Sequence, residues 1–168
     1  MPPNWGHFLL GYYNTLILTM FKAVIDILVL SSKNNSKSQI AEAYLRHFAR
    51  HRATIYSAGF EITSLHPFAI QVMKEDGIDI SNHTSNLVDE YLEVDFDLIL
   101  KVCNDTPSNE LPFQTKALTF QYNFPNPDLS IGTEEEMLKE FRQTRDMIKS
   151  YCEKFLKIHL YSNTQSFD

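Results

Sequence analysis

Between Leu30 and Gln39 an apolar run gives way to Ser31-Ser32-Lys33-Asn34-Asn35-Ser36-Lys37-Ser38, and a helical pattern follows. A polar loop joining a buried strand to a helix start can bind an anion. Backbone N–H groups converge there, and the helix dipole favours negative charge. The hydroxyls of Ser32, Ser36 and Ser38 and the ammonium groups of Lys33 and Lys37 add donors. The loop lacks the Gly-Lys-Ser/Thr ending of a nucleotide-binding P-loop. A solvated strand–helix turn uses the same residue types, so the loop alone leaves both readings open.

The flanking sequence must position this loop. Val24 to Leu30 is a short β-branched run, the pattern of a central parallel strand covered on both faces. A helix is predicted from about Ser38 to Arg50, with Ile40, Ala41, Tyr44, Leu45 and Phe48 on one face. Thr54 to Ser57 reads as a second strand, ended by Ala58-Gly59. Pro67 opens a helix through Phe68, Ala69, Val72 and Met73, and Gly77 ends it. Asn86 to Leu92 suggests a short helix, Phe96 to Val102 a third strand and Ala117 to Tyr122 a fourth. Thr133-Glu134-Glu135-Glu136 has the form of a capping box. The helix it opens places Met137, Leu138, Phe141, Ile148, Tyr151, Cys152 and Phe155 on a buried stripe. Alternating strands and helices predict a three-layer α/β domain, with ligands at the carboxyl ends of the strands.

Length and composition bound the function. The 168 residues fit one domain at about 150 residues each. An apolar fraction of 43% with 21% charged residues excludes wholesale disorder. Cys103 and Cys152 are too few for a disulfide framework, so a reducing, cytoplasmic setting is expected. A net charge of −6 argues against a general nucleic-acid binder but leaves room for a local anion site. Phe8 to Leu30 is mostly apolar. Lys22 and Asp26 interrupt it, and Val24 to Leu30 is assigned to the core. The remainder is too short to span a membrane, and no Lys or Arg precedes it as in a secretory leader. The expected organisation is an N-terminal extension over 1–23, the domain over 24–158 and a tail over 159–168. Arg46, His47, Arg50, His51 and Arg52 cluster where cations favour the negative end of the first helix. His47 and His51, spaced i, i+4, could alternatively share a metal.

Taken together, the motifs resemble the low-molecular-weight protein tyrosine phosphatases and, within that fold, the thioredoxin-coupled arsenate reductases. The family signature, Cys-x5-Arg after the first strand, commonly continues Ser-Gln-x-Ala-Glu. That continuation stands here as Ser38-Gln39-Ile40-Ala41-Glu42. The likeness extends through Tyr56-Ser57-Ala58-Gly59, His66-Pro67-Phe68-Ala69, Val72 to Ser85, Asp95 to Ile99, Phe124-Pro125-Asn126-Pro127 and the last helix. It covers about Val24 to Phe155. It implies a flavodoxin-like fold with a four-stranded parallel sheet in the order 2-1-3-4 and helices on both faces.

The same resemblance locates the departures at the catalytic positions. Ser31 stands where the family has its nucleophilic Cys, Lys37 where it has the transition-state Arg, and Asn126 where it has the general-acid Asp. A serine hydroxyl stays protonated without an adjacent base and has no redox chemistry. Lysine lacks the planar fork that matches phosphoryl oxygens. An asparagine has no proton to give near neutral pH. Asp128, two residues on, is the nearest replacement acid, though the sequence does not fix its geometry. Arsenate reductases of this type pass electrons along three cysteines. Cys103 occupies the second position, and Glu110 stands at the third. Cys103 alone cannot run a disulfide cascade, and a small apolar residue at a strand end is its simpler role.

The retained residues fit an oxyanion loop over Ser32, Lys33, Asn34, Asn35, Ser36, Lys37 and Ser38. In the family Asn34 braces the loop and Ser38 donates to the nucleophile. The resemblance also implies a monovalent-cation site at Asn34, Glu42 and Ser57, with Asn86 in place of the family's fourth ligand, an Asp. A neutral ligand weakens such a site, and no bound metal is expected. Two readings result. One is a pseudoenzyme that binds an oxyanion, a phosphorylated ligand or a protein partner without a cofactor. The other is an enzyme of altered chemistry, with Ser31 as phosphoryl acceptor.

Overall fold

In the computed structural model the described residues are 24–102 and 111–161. The N-terminal extension, Cys103, Glu110 and residues 162–168 lie outside them. Four strands, β1 (Ile25–Ser31), β2 (Ala53–Gly59), β3 (Leu98–Lys101) and β4 (Leu118–Gln121), form one sheet in the order β2-β1-β3-β4. Every pairing is parallel, with Ser31 opposite Gly59 and Leu30 opposite Lys101. Among the described residues three α-helices accompany them: α1 (Lys37–Ala49), α2 (Pro67–Glu75) and α3 (Glu134–Leu156). The expected sheet order and flavodoxin-like architecture are both present.

Alternation along β1 explains the layering. Ile27 and Val29 join a core with Ile40, Tyr44 and Leu45 of α1, Val72 and Met73 of α2, and Phe141, Ile148 and Phe155 of α3. Leu28 and Leu30 point the opposite way, into a cluster with Ala58, Val88, Phe96 and Ile99. That second face is covered, among the described residues, by the single 3-10 turn Val88–Tyr91 and by aromatic side chains such as Tyr56 and Phe113. Each large apolar side chain buried this way contributes about 1.5–3 kcal/mol, so β1, buried on both faces, is held firmly under the loop that follows it.

The ends of the elements follow local chemistry. The Thr133 capping box forms: the hydroxyl accepts from the Glu136 amide at 3.3 Å, and the Glu136 carboxylate accepts from the Thr133 amide at 2.7 Å. His66 caps α2, its Nδ1 accepting from the Phe68 amide at 3.2 Å ahead of Pro67. β1 runs one residue further than the apolar pattern suggests, because Ser31 still pairs with Gly59. Conversely β3 is shorter than Phe96 to Val102, its ladder to β1 and β4 starting only at Leu98. Where a tail is expected from residue 159, the chain stays packed through Tyr161, whose hydroxyl donates to the Phe48 carbonyl at 2.7 Å.

Candidate functional site

The loop at the carboxyl end of β1 is built by committing its carbonyls outward. The Ser32 carbonyl accepts from the amides of Phe60 and Glu61 at 2.9 and 3.0 Å. The Lys33 carbonyl accepts from Thr63 Oγ1 and Ser85 Oγ, both at 3.2 Å. Gln39 Nε2 reaches the Asn34 carbonyl at 3.0 Å. The His66 amide takes the Asn35 carbonyl at 2.9 Å, and the Ile40 amide takes that of Ser36 at 2.9 Å. Across a trans peptide the next N–H points opposite to the carbonyl, and no cis bond occurs among the described residues. The N–H edges from Lys33 to Lys37 therefore turn toward the interior of the loop. One of them, at Asn34, donates to Ser31 Oγ at 2.9 Å. Asn34 itself has φ of 49°, the left-handed step that closes such a nest of amides.

Gly59 lets β2 pass directly behind the loop. A Cβ there would lie 2.8 Å from the Asn34 nitrogen and 2.9 Å from the Lys33 carbonyl carbon. The side chain of Asn34 is fully buried and braces the turn: its Oδ1 accepts from Gln39 Nε2 at 2.7 Å and from the Asn86 amide at 3.1 Å. Its Nδ2 donates to Ser38 Oγ at 3.2 Å, and Ser38 Oγ lies 2.7 Å from Ser31 Oγ.

These contacts sort the expected site residues. Ser31, Ser32, Lys33, Asn35, Ser36, Lys37 and Asn126 border one cavity of about 500 Å3, together with Glu61, His66, Asp128 and Leu129. Ser31, Lys37 and Asn126, separated by up to 95 positions in sequence, are thus brought together. Asn34 and Ser38 do not border the cavity; they stand behind it as braces. Lys37 is only 8% exposed, and its ammonium donates to the Phe124 carbonyl at 3.4 Å. Asp128, in the turn Pro127–Leu129, accepts from Asn35 Nδ2 at 3.2 Å through Oδ2, while its Oδ1 is buried without a partner.

Cys103 lies outside the described residues. Cys152 is a free thiol buried in the core, and that burial pushes its pKa far up. It packs beneath α1, with its Sγ 3.8 Å from the Ala41 carbonyl.

At the implied cation site, Ser57 Oγ donates to Glu42 Oε2 and Arg46 Nη2 lies 2.7 Å from Glu42 Oε1. The Arg46 guanidinium also donates to the Ile55 carbonyl at 2.9 Å. Both carboxylate oxygens of Glu42 are engaged by the chain's own groups, and Asn86 Nδ2 donates to the Tyr91 hydroxyl. Three or more His, Cys, Asp or Glu side chains are nowhere grouped to hold a metal ion among the described residues. None of their helices is long and apolar enough to cross a membrane.

A family model described as low molecular weight phosphotyrosine protein phosphatase matches residues 26–165. The chain belongs to that family. It is 34% identical over 130 residues to an arsenate reductase of Bacillus subtilis (strain 168), covering 77% of this chain and 93% of the relative. It is 33% identical over 129 residues to an arsenate reductase of Staphylococcus aureus (strain bovine RF122 / ET3-1), covering 77% and 94%. An arsenate reductase solved in an oxidized state superposes with TM-score 0.66 at 26% identity, covering 79% of this chain and 97% of that one. An arginine phosphatase, solved as a Cys-to-Ser mutant with a phosphorylated active site serine, shares the fold with TM-score 0.61 at 21% identity, covering 82% and 99%.

Sequence reasoning missed Gln39 and the placement of Asp128. Gln39 sits inside the quoted signature, and its type, an amide with donors and an acceptor, suits a brace that ties its own helix to Asn34 and to the Thr84 carbonyl at 3.0 Å. Asp128 offered only its proximity to Asn126.

Proposed function

We propose that this member of the family is a catalytically inactive scaffold that keeps the loop as a binding site for an oxyanion or a phosphorylated ligand. The reading rests on Lys37. It is a nearly buried cation whose hydrogen bond to Phe124 is long and which has no carboxylate within ion-pair distance among the described residues. A buried charge is costly unless paired, and an anion in the bordering cavity supplies the pair. The inward amides of Lys33, Asn35, Ser36 and Lys37 add further donors for the anion's oxygens. Catalysis is absent for three separate reasons: Ser31 gives no thiolate, Lys37 no bidentate fork, and Asn126 no proton. No cofactor or nucleic acid enters this reading, and a protein partner would be recognised through the same loop. Two cysteines, one buried and free, suit a cytoplasmic setting.

The test is direct. Hydrolysis of p-nitrophenyl phosphate and thioredoxin-coupled arsenate reduction stay at background. Inorganic phosphate at millimolar concentration raises the melting temperature, and Lys37→Ala reduces that rise. Turnover that disappears in Ser31→Ala overturns the proposal.

One observation favours a second reading. The arginine phosphatase neighbour was solved with a phosphorylated serine at its active site. Ser31, with its oxygen held by Asn34 and Ser38, would by analogy accept a phosphoryl group and keep it. Intact-mass analysis after incubation with acetyl phosphate separates the two readings: a single phosphate adduct lost in Ser31→Ala supports the acceptor.

A further inference from the structure

Resting on that reading of the loop, we propose that Asp128 makes the cavity select oxyanions that carry a proton, such as phosphate and arsenate, over fully deprotonated ones such as sulfate. Asp128 borders the same cavity as Ser31, Lys33 and Lys37. Its Oδ2 is held at 3.2 Å by Asn35 Nδ2, which fixes the side chain against the loop. Its Oδ1 is closed off from solvent and has no hydrogen-bond partner. A carboxylate oxygen only accepts, and a buried acceptor is normally satisfied. The missing partner is therefore a donor, and a ligand in the cavity that Asp128 borders brings one when the carboxylate turns toward it.

Near neutral pH phosphate and arsenate each retain an O–H, whereas sulfate retains none. A protonated oxyanion turns its O–H to Asp128 and its bare oxygens to Lys37 and the amides. Sulfate sets a charged oxygen against a charged carboxylate, with no proton between them. Discrimination then comes from repulsion of the wrong ligand as much as from attraction of the right one. A site that hydrogen-bonds a hydroxyl rejects the analogue lacking it far more strongly than a site relying on shape. Asn126, the neighbouring amide, has both donor and acceptor groups and gives no such sign preference.

Isothermal titration calorimetry of the full chain with sodium phosphate and sodium sulfate, at matched ionic strength near neutral pH, tests this. Phosphate binds at least roughly tenfold more tightly than sulfate. Asp128→Asn brings the two within about threefold, because the amide now donates to a sulfate oxygen. Equal affinities in the wild type, or a ratio unchanged in Asp128→Asn, overturn the selectivity. The wild-type ratio decides alone if the variant fails to fold. Binding of neither anion overturns the oxyanion-loop reading itself, and the selectivity with it.

Discussion

The hydroxyl of Ser31 lies 2.7 Å from that of Ser38. The same oxygen accepts from the Asn34 amide at 2.9 Å, so the environment that would stabilise a thiolate is assembled around an alcohol. Donors of this kind lower a cysteine pKa from about 8.5 into the range of roughly 3.5–7.5. Ser31→Cys should therefore create a thiol that titrates clearly below its ordinary value. The rate of alkylation by iodoacetamide against pH, with wild-type protein as the blank for Cys103 and Cys152, gives the midpoint. A midpoint at the ordinary value would show that the loop no longer stabilises negative charge.

Gly59 carries the second prediction. A methyl group there meets the Asn34 nitrogen at 2.8 Å and the Lys33 carbonyl carbon at 2.9 Å, backbone atoms that cannot rotate aside. Gly59→Ala must push the loop away from β2. Overpacking of this sort costs about 1–3 kcal/mol, read from the urea midpoint. The same shift misaligns the inward amides, so the variant should also lose most of the phosphate-induced rise in melting temperature. Retention of both would mean the loop is looser than its packing indicates.

The fold was legible because the signal was repeated. Apart from Asp26, Val24 to Leu30 is apolar without alternation, which is what a strand covered on both faces requires, and Leu28 and Val29 are both fully buried. Thr133 and Glu136 announced their cap by type and spacing alone. Sequence patterns also located Ser31, Lys37 and Asn126, since their neighbours carry the family motifs. By residue type alone they did not separate the residues that border the cavity from the braces: Asn34 and Ser38 match Asn35 and Ser36 in type, and it was the family resemblance that marked Asn34 as a brace. Asp128 was equally opaque: its approach to Asn35 spans 93 positions and depends on how the 3-10 turn at Pro127 lies against the loop.

Glu42 gives the third prediction. Its two carboxylate oxygens face Arg46 and Ser57, so the guanidinium fills the place of an ion. The melting temperature should be the same in matched potassium and choline chloride. Arg46→Met removes the internal cation. The Arg46 side chain is 56% exposed, which weakens the pair by solvent screening, so the loss is about 1 kcal/mol. The variant should in addition become stabilised by potassium. A potassium response in the wild type would show that Arg46 does not occupy the site.

His83 links pH to the loop. Its Nδ1 is 3.0 Å from Gln39 Oε1, and Gln39 in turn holds both oxygens of Asn34. Burial, the largest cause, lowers the His83 pKa; Arg46 lowers it too, against the opposite pull of Glu42 and Asp79. The unfolded chain takes up a proton near the ordinary value of about 6.5, while the folded chain resists it. Stability from this group is therefore present above about 6.5 and falls as the pH drops below it, down to the folded pKa. His159, whose pKa burial also lowers, adds the same sign. Glu75 and Asp76, held below their ordinary values chiefly by hydrogen bonds from Arg142 and Lys149, lose their contributions only at lower pH. Urea midpoints measured from neutral pH to just above the carboxylate range should decline in the wild type. His83→Gln should flatten that decline in part, leaving the His159 share. A variant whose decline matches the wild type would place the pH sensitivity elsewhere.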